Sequence, residues 1–392
     1  MKKILIISPH ALEYGRGGEI STLELANGLK KFYNIFLVDS NILPEKELIN
    51  LQELLNQSDG INYLGKAHHA LFNFAGRIFS IPFPSTIMKL FRIIKKCDIV
   101  YCSFFNFKTN LILLLSKLIY RNLNIIIGYR KPLFSEKVFS LYNFKYRLNL
   151  LILSFFKNRL YHHALSQHAK KFLEKFYRKE QVVHIVHGIN FDRFISLKKN
   201  KEKGNRLNFA YIGYYDDIHK GMGVLLEALE ILLKKNENLK IHFEFCGTGP
   251  LESKLNKLVE KYPKFIQNNG YIPNNEIHEY YLKNDVYLFT SRREPFPRSI
   301  MEALGAGLVV ISSKTIGSIE LLKGQDFTFF LNTLTPNEII NKIKEVYDLW
   351  NSNFHQFQAL QQKARKHVVD NFSFDIELQM FKELIDKITL NK

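Results

Sequence analysis

Short apolar runs separated by amphipathic segments recur along this chain. Lys3–Ser8 carries four consecutive apolar residues, Ile4 to Ile7, and reads as a first strand. A glycine-rich turn follows, Gly15-Arg16-Gly17-Gly18. From Glu19 to Lys31 the apolar residues fall at Ile20, Leu23, Leu25, Ala26 and Leu29. That spacing predicts a helix, and Tyr33–Asp39 alternates into a second strand. Asp98–Cys102 and Asn124–Tyr129 are further strand candidates. Strand, helix, strand in this rhythm predicts a parallel sheet with crossover helices.

Residues 198–205 are polar or charged throughout, and the pattern then restarts. Strands are expected at Leu207–Ile212, Leu239–Cys246, Asp285–Thr290 and Val309–Ser313. Helices are expected at Met222–Lys234, Glu252–Tyr262 and Ser299–Gly305. A last helix over 374–388 has Ser373 as a candidate N-cap. The expected organisation is therefore α/β with two Rossmann-like domains. These are 1–197, a linker at 198–206, a second domain at 207–372, and a C-terminal helix at 373–392 that crosses back to the first. Such sheets bind ligands at the carboxyl ends of their strands, which points to one cleft shared by the two domains.

Composition narrows the class. Of 392 residues, 46% are hydrophobic and 23% charged, which excludes a disordered or low-complexity chain. Three cysteines cannot build a disulfide scaffold, and their spacing is not that of a metal knuckle. No window reaches the ~18 uninterrupted apolar residues of a membrane span. The apolar run after Met1-Lys2-Lys3 is too short for a signal peptide. A cytoplasmic protein is expected.

Charge changes the picture. The net charge is +18, and residues 1–200 hold 30 Lys+Arg against 13 Asp+Glu, whereas residues 201–392 hold 25 against 24. One half is basic and the other near neutral, so the basic half is expected to face an anionic partner. Within it, residues 71–96 and 134–160 interleave basic with bulky apolar and aromatic side chains. Helices of that composition suit the headgroup layer of an anionic membrane. No nucleic-acid module signature accompanies the charge, so nucleic acid is not an expected partner.

The candidate chemistry lies at strand ends. Ser291 to Glu302 follows an apolar strand and opens a helix with Pro297, Arg298 and Ser299. A helix start offers unpaired N–H groups and partial positive charge to a pyrophosphate. Glu294 and Glu302 could accept hydrogen bonds from hydroxyls at the two ends of an elongated polyol ligand. Lys220-Gly221, between a strand end at Gly213 and a helix, can clamp phosphate oxygens. Gly17-Gly18 permits close backbone approach to an anion, and Arg16 adds charge.

In combination these residues resemble the retaining GT-B glycosyltransferases of family 4. The resemblance runs through Tyr211-Ile212-Gly213, Lys220-Gly221, Cys246-Gly247-Thr248-Gly249-Pro250 and Gly270-Tyr271-Ile272. It continues in Glu294-Pro295-Phe296, Glu302 to Gly307, Gly317 and Glu320, and includes His187 to Phe194 at the close of the first domain. It implies a GT-B fold and transfer of a sugar from a nucleotide-diphosphate sugar. The acceptor would be a saccharide or lipid-linked saccharide of a surface glycan, such as lipopolysaccharide or capsule, at the inner face of the cytoplasmic membrane. Glu294 would hold donor-sugar hydroxyls, and Glu302 the ribose. Lys220, aided by Arg298, would neutralise the diphosphate. Gly17, Gly18, Gly213, Gly247, Gly249, Tyr271, Pro297 and Ser299 would line the nucleotide.

This chain departs from the family at several positions. Tyr214 stands where an Arg is common, Pro297 has no N–H, and His187 and Asn190 replace Asn and Asp. Arg130 stands near the first-domain histidine position and would contact sugar or phosphate. Asp216 and Asp217 are adjacent rather than spaced as Asp-x-Asp, so no metal cofactor is implied. A nucleotide-sugar epimerase, a phosphorylase and a non-catalytic membrane-associated binding protein of the same fold remain alternative readings.

Overall fold

The computed structural model describes residues 1–8, 17–40, 61–67, 69–74, 77–82, 84–105, 107–130, 147–148, 150–151, 153–154, 159–195, 203–235 and 238–390. The chain divides into two units, Met1–Val186 with Glu377–Lys392, and His187–Ile376. The first unit therefore closes about ten residues before the expected edge at 197 and recovers the end of the chain. Of the expected linker, residues 198–202 lie outside the described residues.

The first unit contains β1 (Lys3–Ser8), α1 (Gly17–Leu29), β2 (Asn34–Ser40), β3 (Asn62–Ala67), β4 (His69–Phe74) and β5 (Arg77–Pro82). It continues with α2 (Pro84–Ile94), β6 (Ile99–Cys102), α3 (Phe107–Ile119), β7 (Asn124–Tyr129), β8 (Leu160–Ala164), α4 (Gln167–Leu173) and β9 (Val182–His184). Seven strands form one sheet in the order β3-β2-β1-β6-β7-β8-β9, all pairs parallel. Strands β4 and β5 pair separately as an antiparallel hairpin.

That hairpin corrects one expectation. Residues 71–82 were expected to join a basic amphipathic helix, but 71–74 and 77–82 are strand; of the described residues in that stretch only those from Pro84 to Ile94 are helical. Prolines account for the break: Pro82 cannot donate within a helix, whereas Pro84 sits at a helix start, where its missing N–H is harmless. Of the other basic stretch, 134–146, 149, 152 and 155–158 lie outside the described residues.

Side chains alternate across the first sheet. Leu5, Ile7, Val100, Cys102, Ile125 and Ile127 pack with Leu90 and Ile94 of α2, Ile112 and Leu113 of α3, Leu150, Leu153, and Leu173 of α4 in one core. Tyr101 points to the other face, where it meets Phe381 of the C-terminal helix at 5.5 Å between ring centroids. His163 meets the same ring edge-on at 4.9 Å. Burial of Phe381, 1% exposed, fastens the end of the chain to the first unit.

The second unit contains α5 (Asp192–Ile195), β10 (Leu207–Ile212), α6 (Met222–Lys235), β11 (Ile241–Cys246), α7 (Glu252–Lys261), β12 (Ile266–Asn268), α8 (Ile277–Lys283) and β13 (Val286–Phe289). It continues with α9 (Arg298–Gly305), β14 (Val309–Ser313), α10 (Ile316–Leu322), β15 (Thr328–Leu331), α11 (Pro336–Ser352) and α12 (Phe354–Phe372). Helix α13 (Phe374–Leu390) starts in this unit and ends in the first. Six strands form a second all-parallel sheet, β12-β11-β10-β13-β14-β15. Ile189 donates to Phe372 O and accepts from Phe374 N–H, both at 3.0 Å. The segment after Val186 is thereby stitched to the α12–α13 junction.

His162 of β8 is fully buried, stacks on Tyr177 at 3.6 Å, and lies 3.0 Å by Nδ1 from the Tyr129 hydroxyl. Burial pushes its pKa down to about 3. Unfolded, it takes up a proton near pH 6.5; folded, it does not until far lower. Stability is therefore present above pH 6.5 and falls as pH drops toward 3, by up to about 1.4 kcal/mol per pH unit from this residue. Urea midpoints at neutral and mildly acidic pH should shift less in His162→Phe than in the wild type. Equal shifts would remove the assignment.

Candidate functional site

Strand β10 pairs with β11 on one side and β13 on the other, so the connections leaving β10 and β13 diverge. Such a switch point opens a crevice at the carboxyl ends of the strands. Lys220 lies on the segment leaving β10, and Glu294 on the segment leaving β13. Their side chains meet there, Lys220 Nζ to Glu294 Oε2 at 3.0 Å, each about a quarter exposed.

A mesh of backbone-directed bonds fixes both segments. Asp216 Oδ1 accepts the N–H groups of His219 and Lys220 at 2.9 and 2.8 Å, and Asp217 Oδ1 accepts that of Gly223 at 3.0 Å. Arg292 crosses from the other segment to the Asp217 carbonyl (2.9 Å) and carboxylate (3.1 Å). Its N–H donates to His219 O at 2.8 Å, and Thr290 Oγ1 donates to Lys220 O at 2.8 Å. The two adjacent carboxylates thus shape the Lys220 turn. Gly221 is required within it: φ is +61°, and a Cβ there would stand 2.4 Å from Thr290 O.

Helix α9 carries the second acid. Pro297 is its N-cap residue, makes no capping side-chain bond, and no acidic residue occupies the first turn. Glu302 is 8% exposed; its Oε2 accepts from the Tyr281 hydroxyl at 3.3 Å, and its Oε1 lies 3.7 Å from Arg298. Arg298 is thus turned onto Glu302. Tyr281 also donates to the Ser299 carbonyl at 3.2 Å. Burial, then the Glu302 charge, raises the Tyr281 pKa well above 10, so the phenol remains a donor. The Glu294 carbonyl accepts from Gly317 N–H at 3.1 Å, tying this segment to α10.

The glycine turn after β11 backs the Lys220 segment. A Cβ on Gly247 would lie 1.9 Å from Gly213 O, and one on Gly249 2.7 Å from Tyr215 N. Gly247 N–H donates to Gly270 O at 2.8 Å, and Tyr271 follows, 57% exposed. Burial raises the neighbouring Cys246 thiol to about 11, so it stays protonated.

The remaining expected residues belong to the first unit. Arg16 lies outside the described residues. Gly17 and Gly18 open α1, and a Cβ on Gly18 would fall 2.4 Å from the Phe104 ring. Arg130, 5% exposed, turns inward to that same helix start. Its Nη1 donates to Ser21 Oγ (2.6 Å), Thr22 Oγ1 (3.2 Å) and Gly18 O (3.4 Å), and its Nη2 to the Tyr101 hydroxyl (3.1 Å). The Tyr101 hydroxyl lies 2.9 Å from His163 Nδ1, whose Nε2 is 2.7 Å from Ile185 O. Arg130 thus braces the turn around Gly18.

Sequence reasoning missed Tyr281, which supports Glu302, and the Asp217–Arg292 bridge. Neither has a local signal: the partners are 21 and 75 residues apart.

Known structures share this architecture across the whole chain. The structure of Anabaena Alr3699/HepE in complex with UDP superimposes with a TM-score of 0.73 at 16% identity, covering 99% of this chain and 100% of that one. A glycosyltransferase from Rickettsia africae gives 0.75 at 19% identity, covering 100% and 99%. The fold is GT-B. Residues 192–367 of this GT-B chain match the model of the family described as "Glycosyl transferases group 1". Protein CapJ of Staphylococcus aureus is 29% identical over 126 residues, 31% of each chain. The putative colanic acid biosynthesis glycosyltransferase WcaL of Escherichia coli K12 is 30% identical over 112 residues, 26% of this chain and 27% of WcaL. These matches span less than a third of either relative's length.

Two glycine variants test how the Lys220 turn is built. Gly270 has φ +65° with open space where a Cβ would point, whereas Gly221 adds a backbone clash to a similar φ. Gly270→Ala should cost about 1 kcal/mol of strain, and Gly221→Ala roughly 2–3 kcal/mol or more. Melting temperatures check the order, and equal losses would contradict it.

Proposed function

We propose that this protein is a retaining, metal-independent glycosyltransferase. It moves a sugar from a nucleotide-diphosphate sugar to a saccharide or lipid-linked saccharide of a surface glycan. The observation that carries this reading is the Lys220–Glu294 pair at the switch point of a sheet within the matched residues. The UDP named in the Anabaena complex supports a nucleotide donor, and the names of the polysaccharide-biosynthesis relatives support the product class.

In this reading the Lys220 ammonium and the start of α9 hold the diphosphate. A cation and a helix start are both suited to an anion and need no metal. Glu302, held by Tyr281 and Arg298, accepts from the ribose hydroxyls. Glu294 accepts from donor-sugar hydroxyls, exchanging part of its bond to Lys220 for the ligand. The anomeric carbon–phosphate oxygen bond breaks as the acceptor hydroxyl bonds to that carbon on the same face. The acceptor proton passes to the departing phosphate oxygen. The side chains contribute position and charge stabilisation, which can supply most of such a rate enhancement. The first unit is the acceptor side, and its charge suits the anionic inner leaflet of the cytoplasmic membrane.

Transfer assays with a panel of nucleotide sugars test this reading. Lys220→Ala should lower kcat about 10²–10³-fold, the scale of losing one preorganised charge partner. Glu294→Ala should abolish transfer with melting temperature little changed, because an ion pair this exposed is worth about 1 kcal/mol or less. The anomeric configuration of the product, read by NMR, should match that of the donor. Transfer by Glu294→Ala at the wild-type rate would refute the site, and an inverted product would refute the stereochemistry.

A further inference from the structure

Helix α3 is apolar on its outer side as well as on the side that carries Ile112, Leu113 and Leu114 into the core. Leu111, Leu115, Leu118 and Ile119 are 48%, 44%, 59% and 61% exposed. At about 100° per residue they fall within about 100° of arc, on a stripe about 12 Å long. Three polar residues of the same helix, Asn110, Ser116 and Lys117, are buried. Asn110 is fully buried, and its side-chain amide finds no hydrogen-bond partner among the described residues. Ser116, fully buried, bonds back to the Ile112 carbonyl at 2.8 Å. Lys117, 8% exposed, donates to the carbonyls of Arg121 and Leu123 at 2.8 and 2.5 Å. An aqueous surface favours the opposite arrangement on both counts, burying the leucines and hydrating the amide.

The stripe lies on the outside of the helical layer that covers one face of the first sheet. Helices α2, α3, α4 and the helical residues within 147–154 share that layer's core. Leu148 and Leu151 add further apolar surface, 41% and 50% exposed, while Leu150 and Leu153 are buried beneath them. The chain from α2 through β7 is mainly basic. Between residues 84 and 130 there are eight Lys or Arg, of which Lys117 and Arg130 are buried, and one acid, Asp98. Asp98 accepts from the Lys3 backbone N–H at 3.0 Å. Lys89, Arg92, Lys95 and Lys96 of the α2 region are exposed. A second copy of this surface would bring like charges together. An anionic bilayer offers negative headgroups to the cations and a hydrocarbon boundary to the leucines.

We infer that the outer face of α3 is a membrane-docking surface, its leucine stripe entering the headgroup–acyl boundary of an anionic bilayer beside the basic side chains of α2. This deepens the proposed membrane-facing role of the first unit and rests on that reading.

Co-sedimentation with vesicles of phosphatidylcholine containing about 30% phosphatidylglycerol tests it, with pure phosphatidylcholine as control. The wild type should bind the anionic vesicles and release at high salt. The double variant Leu115→Ser, Leu118→Ser should lose about tenfold or more in partitioning while keeping its melting temperature and its thermal shift with UDP. In Leu115→Trp, emission should shift to the blue on vesicle addition. The only native tryptophan, Trp350, is 2% exposed and should contribute a constant background. If the wild type ignores anionic vesicles, the membrane reading itself fails. If the wild type binds and the double variant binds equally, α3 is not the surface. If the double variant instead converts a wild-type dimer to monomer in light scattering, the stripe is a self-association face and the inference is overturned.

Discussion

A lysine ammonium and a carboxylate 3.0 Å apart, held at the ends of two neighbouring parallel strands, organise the second unit's site. The pair is worth little as a stabilising contact, since both groups are partly hydrated. Its importance is positional. The backbone around Lys220 is fixed by Asp216, Asp217, Thr290 and Arg292, so the ammonium is presented by a preformed turn. A charge held this way costs little reorganisation when an anionic ligand arrives, which is the condition for electrostatic stabilisation.

The second acid is held differently. Glu302 is buried, and its charge is matched by the Tyr281 hydroxyl and by Arg298 four residues earlier. One carboxylate is therefore open to exchange partners and the other is fixed in place. That division suits a ligand with a reacting end and an anchoring end. The first unit shows the same economy: Arg130 fastens the start of α1 through Ser21, Thr22 and Tyr101, and so governs the backbone at Gly18.

The alternation of apolar runs and helical spacing made most of both sheets legible. Lys3–Ser8, Asn124–Tyr129, Leu207–Ile212 and Val309–Ser313 are strands with the expected bounds. The β4–β5 hairpin was hidden because basic and aromatic residues from 71 to 82 satisfy a loose amphipathic pattern, and only Pro82 and Pro84 signal the break. In the candidate site, Lys220, Glu294 and Glu302 stand out in the sequence because chemistry and local context coincide there. The Tyr281–Glu302 contact and the Asp217–Arg292 bridge do not, because each joins residues far apart in the chain. The α3 stripe was hidden for another reason: Phe107–Ile119 is apolar nearly all round, so the sequence does not mark which of its leucines are exposed.

Amide hydrogen exchange with and without UDP and a nucleotide-diphosphate sugar tests the central claim most directly, because it reports where an anionic ligand is gripped without requiring the acceptor. Protection should concentrate in 213–222 and in 294–302, the two segments joined by Lys220 and Glu294. Binding that leaves both segments unprotected, or protects a different strand end of the second sheet, would contradict the account.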